Sequence, residues 1–203
     1  MNTYHHGDLK NALIQAGIEL LANDGVKGLS LRRVAKRAGV SHSAPYAHFA
    51  DKQALVAAIS TEGYKKLFEQ LTYIDQNYGG NPLKKLVEVA WSYLKFAVND
   101  PAHFKITFSG VIEKEKDYPA FIEISQQSFA FILQMVAECQ EADIIRSGPT
   151  DLIAVNLWGS VHGLATLLIE DQLSSSVLET YPLREMLISS LDLLTEVAID
   201  PAI

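Results

Sequence analysis

Apolar residues recur every three or four positions along most of the chain, and this spacing predicts helices throughout. The first run, over residues 9–21, predicts a helix that Asp8 caps and Gly25 ends. A later long helix is predicted from its cap at Asp51 to about Asn77. Because no run alternates between apolar and polar residues, no strand is predicted, and the predicted fold class is all-α.

Proline-containing breaks divide the remainder of the chain into further helices. The breaks lie at residues 79–82, at Asp100-Pro101 and at Tyr181-Pro182. With these boundaries the periodicity predicts five helices, at roughly 82–98, 101–110, 118–142, 150–173 and 182–199.

Residues 28–55 predict a helix-turn-helix, a motif that places a short helix in a DNA groove. Ser30 is predicted to cap its first helix, and Gly39 to supply the left-handed residue at which that helix ends. Ser41 is predicted to cap the second helix, with Pro45 near its first turn. The first helix has one apolar stripe, formed by Leu31, Val34, Ala35 and Ala38.

Charge is divided unevenly along the chain. The 203 residues carry a net charge of -7, yet residues 1–52 hold seven Lys and Arg against four Asp and Glu. Basic residues therefore concentrate at the predicted motif, where DNA phosphates would lie, while the rest of the chain is acidic.

Many residue types hold fixed spacings across the motif: Ser30, Ala35, Ala38-Gly39-Val40-Ser41, Tyr46, His48-Phe49, Lys52 and Leu55. This pattern resembles the DNA-binding signature of the TetR family of bacterial regulators. Residues 4–9 and 158–164 also resemble a TetR subgroup named for a Trp-His-Gly motif in its C-terminal domain. One difference lies in the recognition helix, where many members have a central Gly and a Leu before the Tyr, and this chain has Ser43, Ala44 and Pro45.

The resemblance implies two domains. Residues 1–52 would form a three-helix DNA-binding head, joined by a connecting helix from about residue 51. Residues 53–203 would form a helical bundle that binds an effector and dimerises. No cofactor is implied.

The predicted DNA contacts rest partly on chemistry and partly on the resemblance. Side chains at the start of the recognition helix can approach base edges, and polar or basic ones beside it can hold the phosphate backbone. Tyr46 and His48 could instead pack between helices, the basic residues could form a solvated face, and an N-terminal arm of Tyr4, His5 and His6 could reach a groove or be a disordered end. The predicted contacts are Ser30, Arg32, Arg33, Ser41, His42, Ser43, Ala44, Tyr46, His48 and Lys52.

The central helices, which in TetR regulators surround an effector cavity, carry several aromatic residues in this chain. Aromatic residues at helical spacing are also typical of a plain core, and the two histidines could be core residues bonded to a carbonyl. Since no dense charged cluster occurs among them, the predicted effector is a largely apolar or aromatic small molecule. The predicted pocket residues are Trp91, Phe96, His103, Phe104, Phe108, Phe129, Met135 and His162.

The last two predicted helices carry more apolar surface than one monomer core readily covers. They suit a four-helix dimer interface across a two-fold axis, with an ordinary intramolecular core as the alternative. The predicted interface residues are Trp158, Leu183, Met186, Leu187, Ser190, Leu191 and Leu194.

Other classes of protein find little support in the sequence. The single cysteine, Cys139, fits helix packing in a reducing compartment. Residues 152–169 lack formal charge and reach the length of a membrane span, but polar residues interrupt them, and no secretory signal is visible. No metal-binding or catalytic motif occurs, so we expect a cytoplasmic non-enzyme without a metal or catalytic site.

These observations predict a homodimeric transcriptional repressor that a small molecule releases from a pseudo-palindromic DNA operator. The alternative is a DNA-binding adaptor whose C-terminal domain docks a protein partner instead of a small ligand.

Overall fold

The structure, a computed structural model, describes residues 6–203, with side chains from Leu9 onward. Its regular structure is helical apart from one antiparallel bridge between Ile145 and Thr195, which confirms the all-α prediction. The α-helices are α1 (His6–Gly28), α2 (Leu31–Arg37), α3 (Lys52–Tyr78), α4 (Pro82–Asn99), α5 (Pro101–Thr107), α6 (Pro119–Glu141), α7 (Thr150–Ile169), α8 (Ser175–Thr180) and α9 (Leu183–Asp192). Two short 3-10 helices lie at Ala44–Ala47 and Glu115–Asp117.

Tertiary contacts divide the chain into two compact units. The head unit comprises the residues up to Lys65 together with Asp100–Ser125. The body unit comprises Lys66–Asn99 and Gln126–Ile203. The functional division at residue 52 stays a prediction.

The first helix of the predicted motif forms as the sequence indicates. The hydroxyl of Ser30 accepts a hydrogen bond from the Arg33 amide at 3.3 Å, which satisfies one of the free amides that open α2. Leu31 and Val34 on the apolar stripe are buried. Gly39 follows the end of α2 with φ of 69°, in the left-handed region that glycine enters without steric cost.

The predicted start of α1 is wrong, and its predicted end at Gly25 is confirmed as a break. The helix begins at His6, so Asp8 lies inside it and is not its cap. Gly25 has φ of 64° and kinks the chain, which then continues for another turn to Gly28. Gly25 therefore ends the long regular part of α1, as predicted, and a separate helical turn follows it.

The predicted Ser41-capped recognition helix is instead a 3-10 helix, Ala44–Ala47, which we call the recognition turn. Pro45 has no amide proton with which to make the i-to-i-4 bond to Ser41, and the amide of Ala44 donates to that carbonyl at 3.0 Å instead. The Ser41 hydroxyl lies 3.1 Å from the Ser43 hydroxyl and caps no amide.

Later boundaries agree better with the periodicity. The carboxylate of Asp51 accepts from the Ala54 amide at 2.8 Å, as predicted for the cap of α3. Two predictions at the C-terminal end fail: α9 ends at Asp192 instead of residue 199, and the six-residue helix α8 was not predicted. A helix of that length is too short for apolar periodicity to register.

In the head unit, α3 and α5 pack at close range. A Cβ atom added at Gly63 would lie 2.0 Å from the Thr107 hydroxyl, so a larger residue there would force the Thr107 side chain to move. The Ser60 hydroxyl donates to the Ile106 carbonyl at 3.1 Å, and Nε2 of the buried His103 lies 2.9 Å from the Ile59 carbonyl. Because a carbonyl only accepts, His103 donates that bond.

The body unit buries an ammonium group. Lys85 on α4 has a side chain only 2% exposed, and its Nζ contacts the carboxylates of Asp75 and Glu138. Burial lowers the pKa of Lys85, but the hydrogen bonds to Asp75 and Glu138 outweigh it, and the net effect is a raised pKa. Lys85 is therefore held as a cation, 5.0 Å from the ring centroid of Phe131.

Cys139 packs in the body unit as expected for a structural cysteine. Its side chain is fully buried, with Sγ 3.6 Å from the Pro82 carbonyl, and burial raises the pKa of the thiol to about 12. A thiol with so high a pKa is unreactive.

Helices α6 and α7 are each long and apolar enough to cross a membrane by length and composition alone, a test that core helices of soluble proteins also pass. In α7, one side is buried inside the body unit by Ile153, Ala154, Leu157, Val161 and Ala165.

We expect Lys85→Met to destabilise the protein by about 2 kcal/mol, because it leaves two partly buried carboxylates without their counter-ion. The free energy of unfolding is measured by urea titration, with circular dichroism as the signal. Lys84→Met is the matched control, since the adjacent Lys84 lies over the Tyr78 ring and makes no ion pair among residues 9–203. If Lys85→Met loses no more unfolding free energy than Lys84→Met, a stabilising role for the Lys85 ion pairs is contradicted.

Candidate nucleic-acid interface

The recognition turn is anchored on one side and exposed on the other. Pro45 is buried and Phe49, just after the turn, is only 2% exposed, so both belong to the core of the head unit. Tyr46 between them is 60% exposed. The predicted contacts Ser41, His42 and Ser43 are also exposed, and Ala44 is half-buried. The structure thus brings this group together on one short segment.

His48 is placed differently from its neighbours. It is half-buried, with its ring centroid 6.3 Å from that of Phe49, and its Nε2 atom is enclosed without a hydrogen-bond partner among the atoms the structure describes. In this arrangement the Nε2 atom does not face solvent. The position of His48 is consistent with the packing alternative, and its contact with DNA stays a prediction.

The basic side chains of α2 fall into two groups. Arg32 and Lys36 are exposed, and neither makes an ion pair within the described part of the chain. Arg33 instead pairs with Asp24 on α1, with Nη2 and Oδ2 2.5 Å apart, and Arg37 pairs with Glu19, with Nε and Oε2 2.5 Å apart. Two of the four cations are therefore engaged within the head unit.

Lys52 is also engaged. Its Nζ donates to the Val26 carbonyl at 2.5 Å. The partners of these cations, Asp24, Glu19 and the Val26 carbonyl, were not predicted. No local pattern marks them, since the pairs are separated by 9, 18 and 26 positions in the chain.

The N-terminal arm lies largely outside the described residues. This holds for Tyr4 and His5, while His6 opens α1 and only its backbone is described.

The predicted pocket residues are divided between the two units. Buried His103 and Phe104, with half-buried Phe108, lie in the head unit, where the Phe104 and Phe108 ring centroids are 4.9 Å apart. The other five lie in the body unit: Trp91, Phe96, Phe129, Met135 and His162. Met135 is buried, and Trp91 lies under the Arg184 guanidinium at 5.5 Å.

Two predicted pocket residues of the body unit, Phe129 and His162, form a polar and aromatic cluster with Trp158 and Tyr93. The Trp158 indole donates to the Tyr93 hydroxyl at 3.1 Å, and that hydroxyl lies 2.8 Å from Nδ1 of His162. The Phe129 ring centroid is 6.4 Å from that of Trp158. Burial lowers the pKa of His162, which favours its neutral ring. Tyr93 was not predicted, because α4 periodicity marks it only as core.

The predicted dimer-interface residues fall into a buried pair and a more exposed group. Leu187 and Leu191 are fully buried in the body unit, where α9 packs on α4 and α7. Trp158 is 40% exposed, and the remaining residues, Leu183, Met186, Ser190 and Leu194, are half-buried. The most exposed large apolar residue of this region is Leu193, at 86%.

No group of three or more His, Cys, Asp or Glu side chains in the described part of the chain could hold a metal ion.

Comparison with known proteins gives two family matches. A model described as "Bacterial regulatory proteins, tetR family" matches residues 13–59. A second, described as "Tetracyclin repressor-like, C-terminal domain", matches residues 86–191, which is just over half of the chain. Both describe transcription regulators and not enzymes.

Individual proteins are similar as well. The transcriptional regulator YobS of Bacillus subtilis is 24% identical over 132 residues, 65% of each chain. The class C tetracycline repressor of Escherichia coli is 43% identical over 51 residues, 25% of this chain and 23% of the repressor. The chain thus spans less than two thirds of the length of these two relatives. A solved structure of a protein of unknown function from Rhodococcus sp. RHA1 superimposes with a TM-score of 0.76 at 29% identity, covering 95% of this chain and 96% of that one.

His42→Ala and Arg32→Ala separate the two kinds of contact that the exposed side chains can make. We expect His42→Ala to change base preference at one position of each half-site, by about 1–3 kcal/mol, because the side chain is at the exposed start of the segment. Arg32→Ala should weaken binding similarly on all sequences and reduce the salt dependence by about one phosphate contact. Affinities for single-base variants of a selected duplex, measured at several salt concentrations, give both quantities. Equal losses on selected and random DNA for His42→Ala would contradict base readout by His42.

Proposed function

The chain belongs to the TetR family of bacterial regulators and is a DNA-binding transcriptional regulator, and on that premise we propose that it is a homodimeric repressor released from its operator by a small molecule. The observation that carries the DNA half of this proposal is the recognition turn. Its apolar side is buried and its polar side exposed, next in the chain to the exposed cations of α2.

The proposed DNA contacts are assigned according to how exposed each side chain is. Ser41, His42, Ser43 and Ala44 approach base edges, and Tyr46 contacts the sugar-phosphate backbone. Arg32 and Lys36 neutralise phosphates, and Ser30 acts mainly as the cap of α2. The acidic remainder of the chain limits indiscriminate adhesion to DNA.

Dimerisation is proposed through the exposed face of α7 together with α9. Leu152, Val155 and Leu167 on α7 are exposed, at 60, 50 and 39%. Gly159 and Gly163 lie on the same helix, and a Cβ added at either would meet nothing within 4 Å. A contiguous apolar helix face of this kind is typical of a protein interface, and the small residues permit close approach of a second helix. Two copies related by a two-fold axis could then read a pseudo-palindrome.

The effector site is proposed at the cluster of Tyr93, Phe129, Trp158 and His162. Aromatic rings supply apolar surface, and the hydrogen-bonded hydroxyl and imidazole supply a few oriented polar groups, the usual makeup of a small-molecule site. A largely apolar or aromatic ligand with one polar group fits this chemistry.

Repression and release are linked through the two conformations that the dimer can adopt. An effector that prefers the conformation with the wrong spacing between the DNA-binding segments weakens operator affinity by the ratio of its affinities for the two states. Similarity to the class C tetracycline repressor of Escherichia coli supports repression as the sign of regulation. Membership of this family supports a cytoplasmic location and does not favour the docking-adaptor alternative.

Selection of bound fragments from a genomic DNA library tests the proposal. We expect the purified protein to enrich pseudo-palindromic fragments, and an aromatic small-molecule library titrated against the enriched duplex to contain compounds that lower affinity. Tyr93→Phe should weaken such a response while leaving ligand-free DNA binding intact. Absence of any enriched fragment would refute operator binding, and enrichment without a response to any compound would refute the sensor half.

Val155→Glu tests the interface. We expect a monomer in sedimentation or light scattering, because two unpaired carboxylates buried at the dimer axis cost roughly 3 kcal/mol or more, on the order of a hundredfold in the dimer constant. Operator affinity should fall as the dimer is lost. Val98→Glu on α4, a residue 40% exposed, is the matched control and should stay dimeric. An unchanged dimer in Val155→Glu would exclude the α7 face.

A further inference from the structure

The head unit buries one ionisable side chain among the residues described from Leu9 onward, that of His103 in the first turn of α5. The ring is fully enclosed. Burial of an ionisable group is costly unless its polar atoms find partners. The partners of the two ring nitrogens therefore show which form of the ring suits the fold.

Each ring nitrogen of His103 faces an oxygen atom that accepts hydrogen bonds. Nε2 lies 2.9 Å from the Ile59 carbonyl of α3. Nδ1 lies 3.3 Å from Oδ2 of Asp100, the residue that caps α5. The neutral ring carries one N–H and can serve only one of these acceptors, whereas the imidazolium has an N–H on each nitrogen and can donate to both.

The Asp100 carboxylate is in a setting that favours its ionised form. Its side chain is 36% exposed, so water still solvates it. Its Oδ1 atom accepts from the His103 amide at 3.4 Å, at the positive end of α5. The groups on the two sides of the ring are therefore a carbonyl and a carboxylate, and neither of them donates.

The other titratable groups on the helices around His103 lie nearer the surface. Each of the three described carboxylates on α1 and the head part of α3 pairs with an Arg or Lys side chain. Tyr64 on α3 stays neutral, because burial and, to a lesser extent, Glu115 raise its pKa to about 12. From Leu9 onward, the charged groups of α1, of α3 up to residue 65 and of α5 are half-buried or exposed, and they are Lys10, Glu19, Asp24, Lys27, Lys52, Glu62, Lys65 and Lys105.

We propose that His103 is held as an imidazolium that joins α5 to α3, so that the docking of these two helices in the head unit depends on one buried proton. The cation donates to the Ile59 carbonyl and to the Asp100 carboxylate together. Loss of its proton sets a bare ring nitrogen against one of these oxygens in a place without water. This proton-dependent docking is separate from the effector response proposed above and requires neither DNA nor a ligand.

The buried imidazolium makes the docking of α5 weaker as the pH rises. In an unfolded chain, histidine loses its proton with a pKa of about 6.5. If the folded protein holds the proton to higher pH, the contacts of His103 stabilise it fully below about pH 6.5. Their contribution is lost as the pH rises through the value at which the folded protein releases the proton.

Histidine NMR of the full chain measures the charge of the ring. At pH 7.5 the ring-nitrogen and C2-proton shifts of His103 should be those of an imidazolium, although a histidine in an unfolded peptide is then mostly neutral. His103→Gln identifies the signal by its absence, and if that variant does not fold, Asp100→Asn identifies it by its shift. A neutral ring with its proton on Nε2 at pH 7.5 would overturn the proposal.

Asp100→Asn removes the negative charge and keeps a side chain that caps a helix equally well. The His103 ring should then become neutral at pH 7.5. Amide hydrogen exchange reports the docking, as protection factors for residues 104–107. Between pH 6.5 and 8.5 these factors should fall about tenfold in the wild type, the size of a pKa difference of about one unit, and should change little in Asp100→Asn.

Asp51→Asn is the matched control, because Asp51 caps α3 in the same head unit through the Ala54 amide at 2.8 Å. It should keep the imidazolium signals of His103 and the pH dependence of the wild type. An equal pH dependence in the wild type and Asp100→Asn, or its loss in Asp51→Asn as well, would show that the His103–Asp100 pair does not control the docking.

Discussion

A recognition segment of four residues cannot hold its own shape, and this constraint governs the head unit. A 3-10 helix of one turn has few hydrogen bonds, and Pro45 removes one more donor. Its conformation is therefore imposed from outside, by the burial of Pro45 and Phe49 and by the helices to which its ends are joined. Burial on one side also decides which side chains remain exposed, so the packing of the core selects the surface offered to DNA.

In the head unit, the contacts of individual basic side chains matter more than the net charge of the chain. The net charge of -7 says little about DNA binding, and the basic excess of residues 1–52 does not distinguish cations that form contacts within the head unit from those that do not. Arg33, Arg37 and Lys52 contact carboxylates or carbonyls of α1. Arg32 and Lys36 stay exposed. Residues of one chemical type on one short stretch thus divide between holding the fold and facing solvent.

In the body unit, one helix carries three different surfaces. Helix α7 buries Ile153, Leu157 and Val161, places Trp158 and His162 in hydrogen-bond contact with Tyr93, and exposes Leu152 and Val155. The proposed effector cluster and the proposed dimer face therefore share a rigid element. A ligand that displaces Trp158 would act on the helix that also carries the interface, which gives the proposed linkage between effector and dimer geometry a physical route.

The sequence alone determined the helical class, most helix boundaries, the caps at Ser30 and Asp51 and the left-handed Gly39, because periodicity and capping are local properties of a few neighbouring residues. It also predicted a DNA-binding segment at residues 28–55, which lies within the family match over residues 13–59. Only the tertiary structure decided which cations pair internally, that Leu187 and Leu191 are core, and that Tyr93 joins Trp158 and His162. These facts depend on contacts between residues far apart in the chain. A helical pattern predicts that a side chain is buried, but it does not predict which residues that side chain contacts.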